Sequence, residues 1–383
     1  MDEYTIINAL DKDKNPLSVY VKDGIIMDVN GDVKGDVIDA GGDYLLPGLI
    51  DMHIHGAGGF GSDLNITEDN LTSMAAFLES KGVTSFLLAA SCSLTFLQRM
   101  KALLENSSYL RAHVIGVYFE GPFINKAKKG GLPADSIREP DEAFLDELLS
   151  YRLEGKPIIK VMTVAPELEG ADEIIRKLKE NGVVVSFGHS MASFSDAAVY
   201  PGCHVTHLYN AQREIDHRKA GLSLYPFRDK SVTAELIADG VHVDMDVVDF
   251  TVDMIGERIC LISDGMSFCG LGAGKGKYLG RDIYSDGKAC YYSDDNILIG
   301  SGCLITKTGA DMVKRGAADL NGFVRMAAEN PARVLGLSRT GVIRKGAYAD
   351  LIILDKELNV RRVFKAVEPG LKLLSECGGC CYN

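Results

Sequence analysis

Short apolar runs rich in β-branched residues recur eight times along the chain, with amphipathic segments between many of them. The eight runs lie at residues 48–54, 83–90, 113–119, 157–164, 183–187, 204–208, 232–238 and 259–263. Segments 70–82, 141–155 and 171–182 place apolar residues three and four apart and end at glycine, which is typical of helices. Alternating strands and helices favour a parallel sheet, and eight such units predict a closed (β/α)8 barrel of the TIM type, in the α/β class.

Both ends of the chain differ from its middle. Residues 1–45 and the segment TGVIRKGAYADLIILDKELNVRRVF near the C-terminus have the pattern of short strands separated by turns. We therefore predict a small, discontinuous β-sandwich domain at residues 1–47 and 336–383 beside a barrel at residues 48–335. Residues 209–231 contain no clear helical pattern and are predicted to be a long functional loop.

Charge and cysteine content limit the classes of partner. The chain has 41 Lys and Arg against 53 Asp and Glu, a formal net charge of −12, which disfavours nucleic acid as a partner. No basic, apolar leader begins the chain and no apolar run is long enough to span a membrane, so neither export nor a membrane partner is expected. The nine cysteines are scattered apart from the CGGCC tail, which favours free thiols and a cytoplasmic location.

Ionisable residues follow the C-terminal ends of the predicted strands, where barrels of this type place catalytic groups. These residues are His53, His55, Glu120, His189, His207, Asp239, His242 and Asp264. Because His53 and His55 are two apart on a strand, both side chains point to the same face and can share one ion. Imidazole and carboxylate groups suit Zn²⁺, Fe²⁺, Mn²⁺ or Co²⁺, so the sequence predicts one or two divalent metal ions.

A metal centre of this kind needs a further group that takes and returns a proton, because the ion itself supplies only the polarisation of water and carbonyl. Asp264, which ends the last strand in LISDG, is the candidate. A turn or helix-capping aspartate is the structural alternative at this position.

Several motifs occur in one order along nearly the whole chain. They are LPGLIDMHIHGAGG, EGPFINKAKKG, GHS, THLYNAQ, HR, AELIADGVHV, SDG, NPARVLGL and KGAYADLIIL. Together they resemble the amidohydrolase superfamily and, within it, the N-acetylglucosamine-6-phosphate deacetylase family. The resemblance implies a homodimeric enzyme with bound Zn or Fe that hydrolyses the acetamido group of N-acetylglucosamine 6-phosphate to glucosamine 6-phosphate and acetate.

The resemblance also implies roles for particular residues. Those assigned to a primary metal ion are Glu120, His189 and His207, and those matching a second metal position are His53 and His55. Asp264 matches the catalytic aspartate, acting first as general base and then as general acid. The implied substrate contacts are the main chain of Asn210 and Ala211 and a phosphate-recognising pair, Arg218 and His242, with the arginine reaching a neighbouring subunit.

The chain departs from the family at two places near the expected site. Leu132 stands where family members usually have a histidine that meets the acetyl carbonyl, and the loop EIDHRKAG replaces HHREPG. Because leucine donates no hydrogen bond, either a second metal polarises the carbonyl or the acyl substrate differs. The alternatives are therefore a deacylase of another N-acyl amino sugar or N-acyl amino acid, and a catalytically silent sugar-phosphate binding protein.

Two glycine-rich segments and two further histidines need an interpretation. GAGGFG at 56–61 lacks the helix and acidic residue of a dinucleotide site, so close approach of the backbone near the barrel mouth is favoured. Residues 270–280 are predicted to be a mobile active-site flap. His113 begins a strand at the opposite end of the barrel and is predicted to be structural, whereas His217 in the long loop suits either role.

Overall fold

The computed structural model describes residues 3–62 and 66–366. The strands of this part are β1 Glu3–Leu10, β2 Pro16–Lys22, β3 Ile25–Val29, β4 Asp36–Asp39, β5 Tyr44–Pro47, β6 Leu49–Ile54, β7 Gly56–Ala57, β8 Phe60–Gly61, β9 Val83–Ser91, β10 Val114–Glu120, β11 Arg152–Leu153, β12 Lys156–Pro157, β13 Ile159–Val164, β14 Val184–Phe187, β15 His204–Val205, β16 Thr233–Ile237, β17 Ile259–Ile262, β18 Ala273–Tyr278, β19 Arg281–Asp286, β20 Ala289–Tyr292, β21 Leu298–Ser301, β22 Leu351–Leu354 and β23 Val360–Phe364.

The helices lie mainly between the barrel strands. They are α1 Glu68–Ser80, α2 Leu94–Asn106, α3 Ser108–His113, α4 Glu142–Leu149, α5 Ala171–Glu180, α6 Phe194–Ala198, α7 Tyr225–Arg228, α8 Met245–Ile255, α9 Ile305–Arg315, α10 Leu320–Val324 and α11 Asn330–Val334. Short 3₁₀ turns occur at Lys126–Lys128, Ala134–Ser136, Leu222–Leu224 and Gly256–Arg258, and a π-helical turn at Arg325–Glu329.

Eight parallel strands form the barrel that the sequence predicts, so the predicted fold class is confirmed. They pair in the order β6, β9, β10, β13, β14, β15, β16 and β17. The last and first strands meet at the C-terminal end, where the Asp264 amide donates to the His53 carbonyl (2.9 Å) and the His55 amide donates to the Gly265 carbonyl (2.9 Å). Backbone hydrogen bonds thus join the two edge strands next to the predicted site.

Both faces of the barrel strands are buried, which explains why the strands are continuously apolar in sequence. On β9, Leu87 and Ala89 belong to a cluster inside the barrel, whereas Phe86 and Leu88 pack with the helices outside. The three predicted helices are confirmed as α1, α4 and α5. Helix α1 begins where the Thr67 side chain accepts the Asn70 amide, a typical N-cap contact.

Strands from both ends of the chain form a second sheet of seven strands. Its order is β23, β22, β5, β1, β2 and β3, with β4 paired to β1. The sheet has an apolar core of its own, which includes Ile6, Val19 and Leu351. The exact boundaries 1–47 and 336–383 stay a prediction, because residues 1–2 and 367–383, with the CGGCC tail, lie outside the described residues.

Two predicted loops contain regular structure. Segment 209–231, predicted to be a long loop without a clear helical pattern, includes a 3₁₀ turn at Leu222–Leu224 and the short helix α7. Helix α7 has only four residues, which is too short to produce a helical repeat in the sequence, and the buried ring of Tyr225 holds it in place. Segment 270–280, predicted to be a flap, contains β18, an outer strand of a four-stranded antiparallel sheet.

The glycine segment 56–61 forms the β7–β8 hairpin at the barrel mouth. A Cβ atom on Gly56 would lie 2.4 Å from the Phe60 carbonyl oxygen, so the close backbone approach predicted here is present. Among the described residues, no helix combines the length and the apolar character that crossing a membrane requires.

Candidate metal centre

The C-terminal ends of the barrel strands bring six predicted site residues together at one point. They are His53 from β6, His55 directly after β6, Glu120 from β10, His189 after β14, His207 after β15 and Asp264 after β17. All six are buried, and Asp264, the most accessible, is 8% exposed. The predicted placement of ionisable side chains at the strand ends is therefore present in the structure.

Glu120, His189 and His207 form the first group. The Glu120 Oε1 atom lies 2.9 Å from His189 Nε2 and 3.0 Å from His207 Nε2, and the two imidazole nitrogens are 3.1 Å apart. Three donor atoms so close together can hold one divalent cation.

His53, His55 and Asp264 form the second group. Asp264 Oδ1 lies 3.4 Å from His55 Nε2 and 3.6 Å from His53 Nε2. The other oxygen of Glu120, Oε2, lies 3.0 Å from His55 Nε2, so this carboxylate faces both groups. The two groups together have the donor atoms for one or two ions, and Glu120 lies between the groups.

Opposing charges shape the electrostatics of the cluster. Burial alone would raise the pKa of Glu120, but hydrogen bonds with His189 and His207 outweigh it and hold the pKa well below its ordinary value. Burial alone would lower the pKa of His55, but hydrogen bonds to Asp264 and Glu120 raise it to about 9. Protons and a divalent ion would therefore compete for the same imidazole nitrogens, so metal binding at this site would release protons.

The histidine nitrogens fit a metal-binding role. His53 Nε2 is buried and has no hydrogen-bond partner among the described residues, although two carboxylates lie just beyond hydrogen-bond distance. His189 Nδ1 lies 2.8 Å from the Lys128 carbonyl oxygen and must donate to it, so in the neutral ring the lone pair is on Nε2, next to Glu120, where an ion could bind. Orientation through the second ring nitrogen is a general feature of metal-binding histidines. The cluster thus suits a divalent ion by its donor chemistry.

Three of the cluster residues have left-handed backbone conformations. The φ angles are +46° at His189, +25° at His207 and +49° at Asp264. This region is sparsely populated for residues other than glycine, asparagine, aspartate and histidine. Each of the three lies two residues after the last residue of a barrel strand, so the chain turns sharply at the residue whose side chain enters the cluster.

Asn210 and Ala211, two of the predicted substrate residues, lie beside the first group. The Asn210 amide donates to the His207 carbonyl (2.9 Å), and Ala211 has a φ of +49°. A Cβ atom on Gly130 would lie 3.5 Å from the His189 ring and 3.7 Å from the Ala211 Cβ, so all three residues meet at one place. A substrate group could therefore meet this main chain next to the metal ligands.

The two residues of the predicted phosphate-recognising pair differ in exposure, because the His242 side chain is largely buried and Arg218 is exposed. His242 lies near the end of β16, and its Nδ1 is 2.7 Å from Asp239 Oδ2, which fixes the direction of the ring. Arg218 lies in the long loop and is exposed, and its amide donates to Asp216 Oδ1 (2.7 Å). Within one chain the structure does not bring Arg218 into the buried cluster. His217, for which both roles were open, is also exposed.

The Leu132 side chain makes apolar contacts. It is 7% exposed and packs with Ile124 and Ile137 in a small cluster of its own. This position therefore supplies no hydrogen-bond donor to the metal cluster.

Two residues near the site were missed by sequence reasoning. Glu235 is fully buried in β16, with Oε2 2.9 Å from His53 Nδ1, and a charged residue within the apolar run AELIA was the signal available. Tyr278, at the end of β18, places its ring edge-on to His55 with 6.4 Å between centroids. His113 pairs with Glu79 at 2.7 Å near the start of β10, away from the cluster, as its predicted structural role requires.

A family model described as the amidohydrolase family matches residues 44–373. The chain belongs to the amidohydrolase family. This amidohydrolase is 32% identical over 330 residues to the N-acetylglucosamine-6-phosphate deacetylase of Bacillus subtilis (strain 168), with 82% of each chain covered. It is 30% identical over 359 residues to the N-acetylgalactosamine-6-phosphate deacetylase of Escherichia coli O157:H7, with 90% of this chain and 92% of the relative covered.

The fold of this amidohydrolase matches a solved structure from Mycobacterium smegmatis. That structure is an N-acetyl-D-glucosamine-6-phosphate deacetylase variant in complex with N-acetyl-D-glucosamine-6-phosphate, and the TM-score is 0.84 at 27% identity. The alignment covers 96% of this chain and 99% of the other. The resemblance inferred from the motifs is thereby confirmed over nearly the whole length.

Proposed function

We propose that this amidohydrolase removes the acetyl group from N-acetylglucosamine 6-phosphate and gives glucosamine 6-phosphate and acetate. The observation that carries the proposal is the buried cluster of two candidate metal-ligand groups, in which Glu120 of the first group faces His55 of the second and Asp264 belongs to the second. The named activities of the Bacillus subtilis and Escherichia coli relatives support an N-acetylated amino-sugar 6-phosphate as the substrate class.

The proposed cofactor is Zn²⁺ or Fe²⁺, with one or two ions per subunit. The proposed ligands of the primary ion are Glu120, His189 and His207, and those of a second position are His53 and His55. A bound divalent ion lowers the pKa of a water molecule and polarises a carbonyl group. The negative charge of the buried carboxylates would stabilise such a bound cation.

Asp264 is the proposed proton carrier. Its carboxylate accepts a proton from the attacking water and returns it to the amide nitrogen as the C–N bond breaks. The second transfer is necessary because an unprotonated amine anion is a very poor leaving group. Its Oδ1 atom, 3.4 Å from His55 Nε2, belongs to the cluster where the water would be activated.

The proposed substrate contacts are the main chain of Asn210 and Ala211, the His242 ring, and Arg218. Because Arg218 is exposed and does not belong to the buried cluster of its own chain, we propose that it serves the site of a second subunit in a homodimer. A cytoplasmic location is part of the proposal and is supported by the six free cysteines of the described residues.

A deacylase of another N-acyl amino sugar or N-acyl amino acid is the second candidate, and Leu132 favours it. The apolar contact of Leu132 with Ile124 replaces a donor that would orient an acetyl carbonyl. A catalytically silent sugar-phosphate binding protein is disfavoured, because binding alone needs neither the metal ligands nor Asp264.

Acetate release from a panel of substrates tests the proposal, with metal content measured on the same sample. The panel contains N-acetylglucosamine 6-phosphate, its galactosamine epimer, unphosphorylated N-acetylglucosamine and an N-acetyl amino acid. We expect the highest kcat/KM for N-acetylglucosamine 6-phosphate. A preference for an unphosphorylated substrate would favour the second candidate, and no turnover of any substrate by metal-loaded protein would reject both.

A further inference from the structure

Glu235 is a charged residue at the centre of the barrel. Its side chain is 0% exposed, and it lies on β16 directly beneath the metal cluster. One carboxylate oxygen, Oε2, is 2.9 Å from His53 Nδ1 and accepts the His207 amide at 2.9 Å. The other oxygen, Oε1, lies 3.4 Å from His204 Nε2. A single carboxylate therefore contacts one residue from each candidate metal-ligand group.

The backbone contact determines the chemistry of the histidine contact. A backbone N–H can only donate, so the oxygen that meets the His207 amide must be an acceptor. The same oxygen also faces His53 Nδ1, so this nitrogen must carry the hydrogen and donate it. In neutral His53 the lone pair is then on Nε2, the atom that faces Asp264 at 3.6 Å and Glu120 at 3.7 Å.

We propose that Glu235 is a positioning residue that fixes the tautomer of His53 and the backbone of His207 and so couples the two metal positions. The inference rests on the proposed metal-dependent function and adds a residue that touches neither the ion nor the substrate. Both contacts converge on one buried oxygen, Oε2, so the carboxylate form of Glu235 accepts from His53 Nδ1 and from the His207 amide together.

Two substitutions separate the hydrogen bonds from the charge. Glu235→Gln keeps an oxygen for the His207 amide, and the same oxygen still accepts from His53 Nδ1. Glu235→Leu removes the acceptor and leaves both donors unpaired. We expect the leucine variant to lose about 10- to 100-fold in affinity for divalent metal, which is usual when a partner of a metal-binding histidine is removed. We expect the glutamine variant to recover most of that loss.

The chain provides a matched control in Glu79, which pairs with His113 at 2.7 Å in another buried carboxylate–histidine contact. Glu79→Leu also removes a buried acceptor and destabilises the fold, but it lies away from the cluster. The readouts are metal stoichiometry and affinity, measured with Zn²⁺ and a competing chelator, together with the thermal unfolding of each variant. Only the Glu235 variant should change metal affinity, whereas both leucine variants should lower Tm.

A second measurement needs no substitution at Glu235. In the zinc-loaded protein, His53 should give an Nδ1–H proton resonance, assigned by its loss in His53→Ala. A zinc-loaded parent in which His53 carries its proton on Nε2, or unchanged zinc affinity in folded Glu235→Leu, would overturn the inference. A parent that binds no divalent ion at all would instead refute the metal-dependent function on which the inference rests.

Discussion

Replacing Asp264 by asparagine tests the proposed proton carrier with little disturbance of the fold. The backbone of Asp264 is held at both sides, because its amide donates to the His53 carbonyl (2.9 Å) and its carbonyl accepts the Ser301 amide (2.8 Å). Its φ of +49° lies in the left-handed region, which asparagine tolerates as aspartate does. Asparagine is also nearly the same size, so the change removes the charge and the proton acceptor with little change in volume.

The expected effect on turnover follows from the role of the residue. A positioned general acid–base contributes about 10²- to 10⁴-fold, so Asp264→Asn should raise the barrier by roughly 3–5 kcal/mol. The assay is kcat for acetate release from N-acetylglucosamine 6-phosphate at saturating substrate, with metal content and Tm recorded on the same protein. The first metal-ligand group contains no Asp264, so at least one bound ion should remain.

Asp264→Ala is the control for backbone strain. Alanine in a left-handed conformation costs about 1–2 kcal/mol, so this variant should have a lower Tm than Asp264→Asn at a similar loss of turnover. For a chain of 383 residues the difference corresponds to about 1–3 °C. An asparagine variant that binds metal and retains more than about a tenth of the parent kcat would show that another group carries the proton.

Three further predictions concern metal and substrate binding. A chelator should abolish activity, and one divalent ion should restore it. Glu120→Ala should bind less metal, because one ligand of three is lost. Full turnover of metal-free protein would contradict the metal dependence. Arg218→Ala should lower kcat/KM about 10- to 150-fold for the phosphorylated sugar only, since a charge-assisted contact contributes roughly 1.5–3 kcal/mol; equal losses for the unphosphorylated sugar would exclude phosphate recognition. If a second ion replaces the donor missing at Leu132, His55→Ala should bind one ion instead of two and have severely lower turnover. Adding Leu132→His to that variant should restore part of its activity. A parent with a single bound ion and a fully active His55→Ala would contradict this idea.

The barrel and the cluster were predictable from the sequence because they depend on backbone topology. Parallel strands in a closed barrel all end on one side. Glu120 and Asp264 are far apart in sequence, but this topology brings them to the same end of the barrel whichever side-chain rotamers they adopt. Glu235 was not predictable in the same way, because its role depends on which face of β16 turns inward and on a partner 182 residues away. Helix α7 was missed because its four residues are held by tertiary packing rather than by a repeating pattern.

The left-handed backbone at His189 and His207 has a consequence for engineering this protein. Each residue holds its ring in the cluster from a conformation that glycine would adopt with less strain, so replacement by glycine relaxes the turn while it removes a metal ligand. Random libraries selected only for heat resistance in the presence of a chelator should therefore accumulate glycine at these two positions and lose catalysis. Selection for stability and selection for turnover act in opposite directions here, and a thermostable lineage of this enzyme has to gain its stability elsewhere in the barrel.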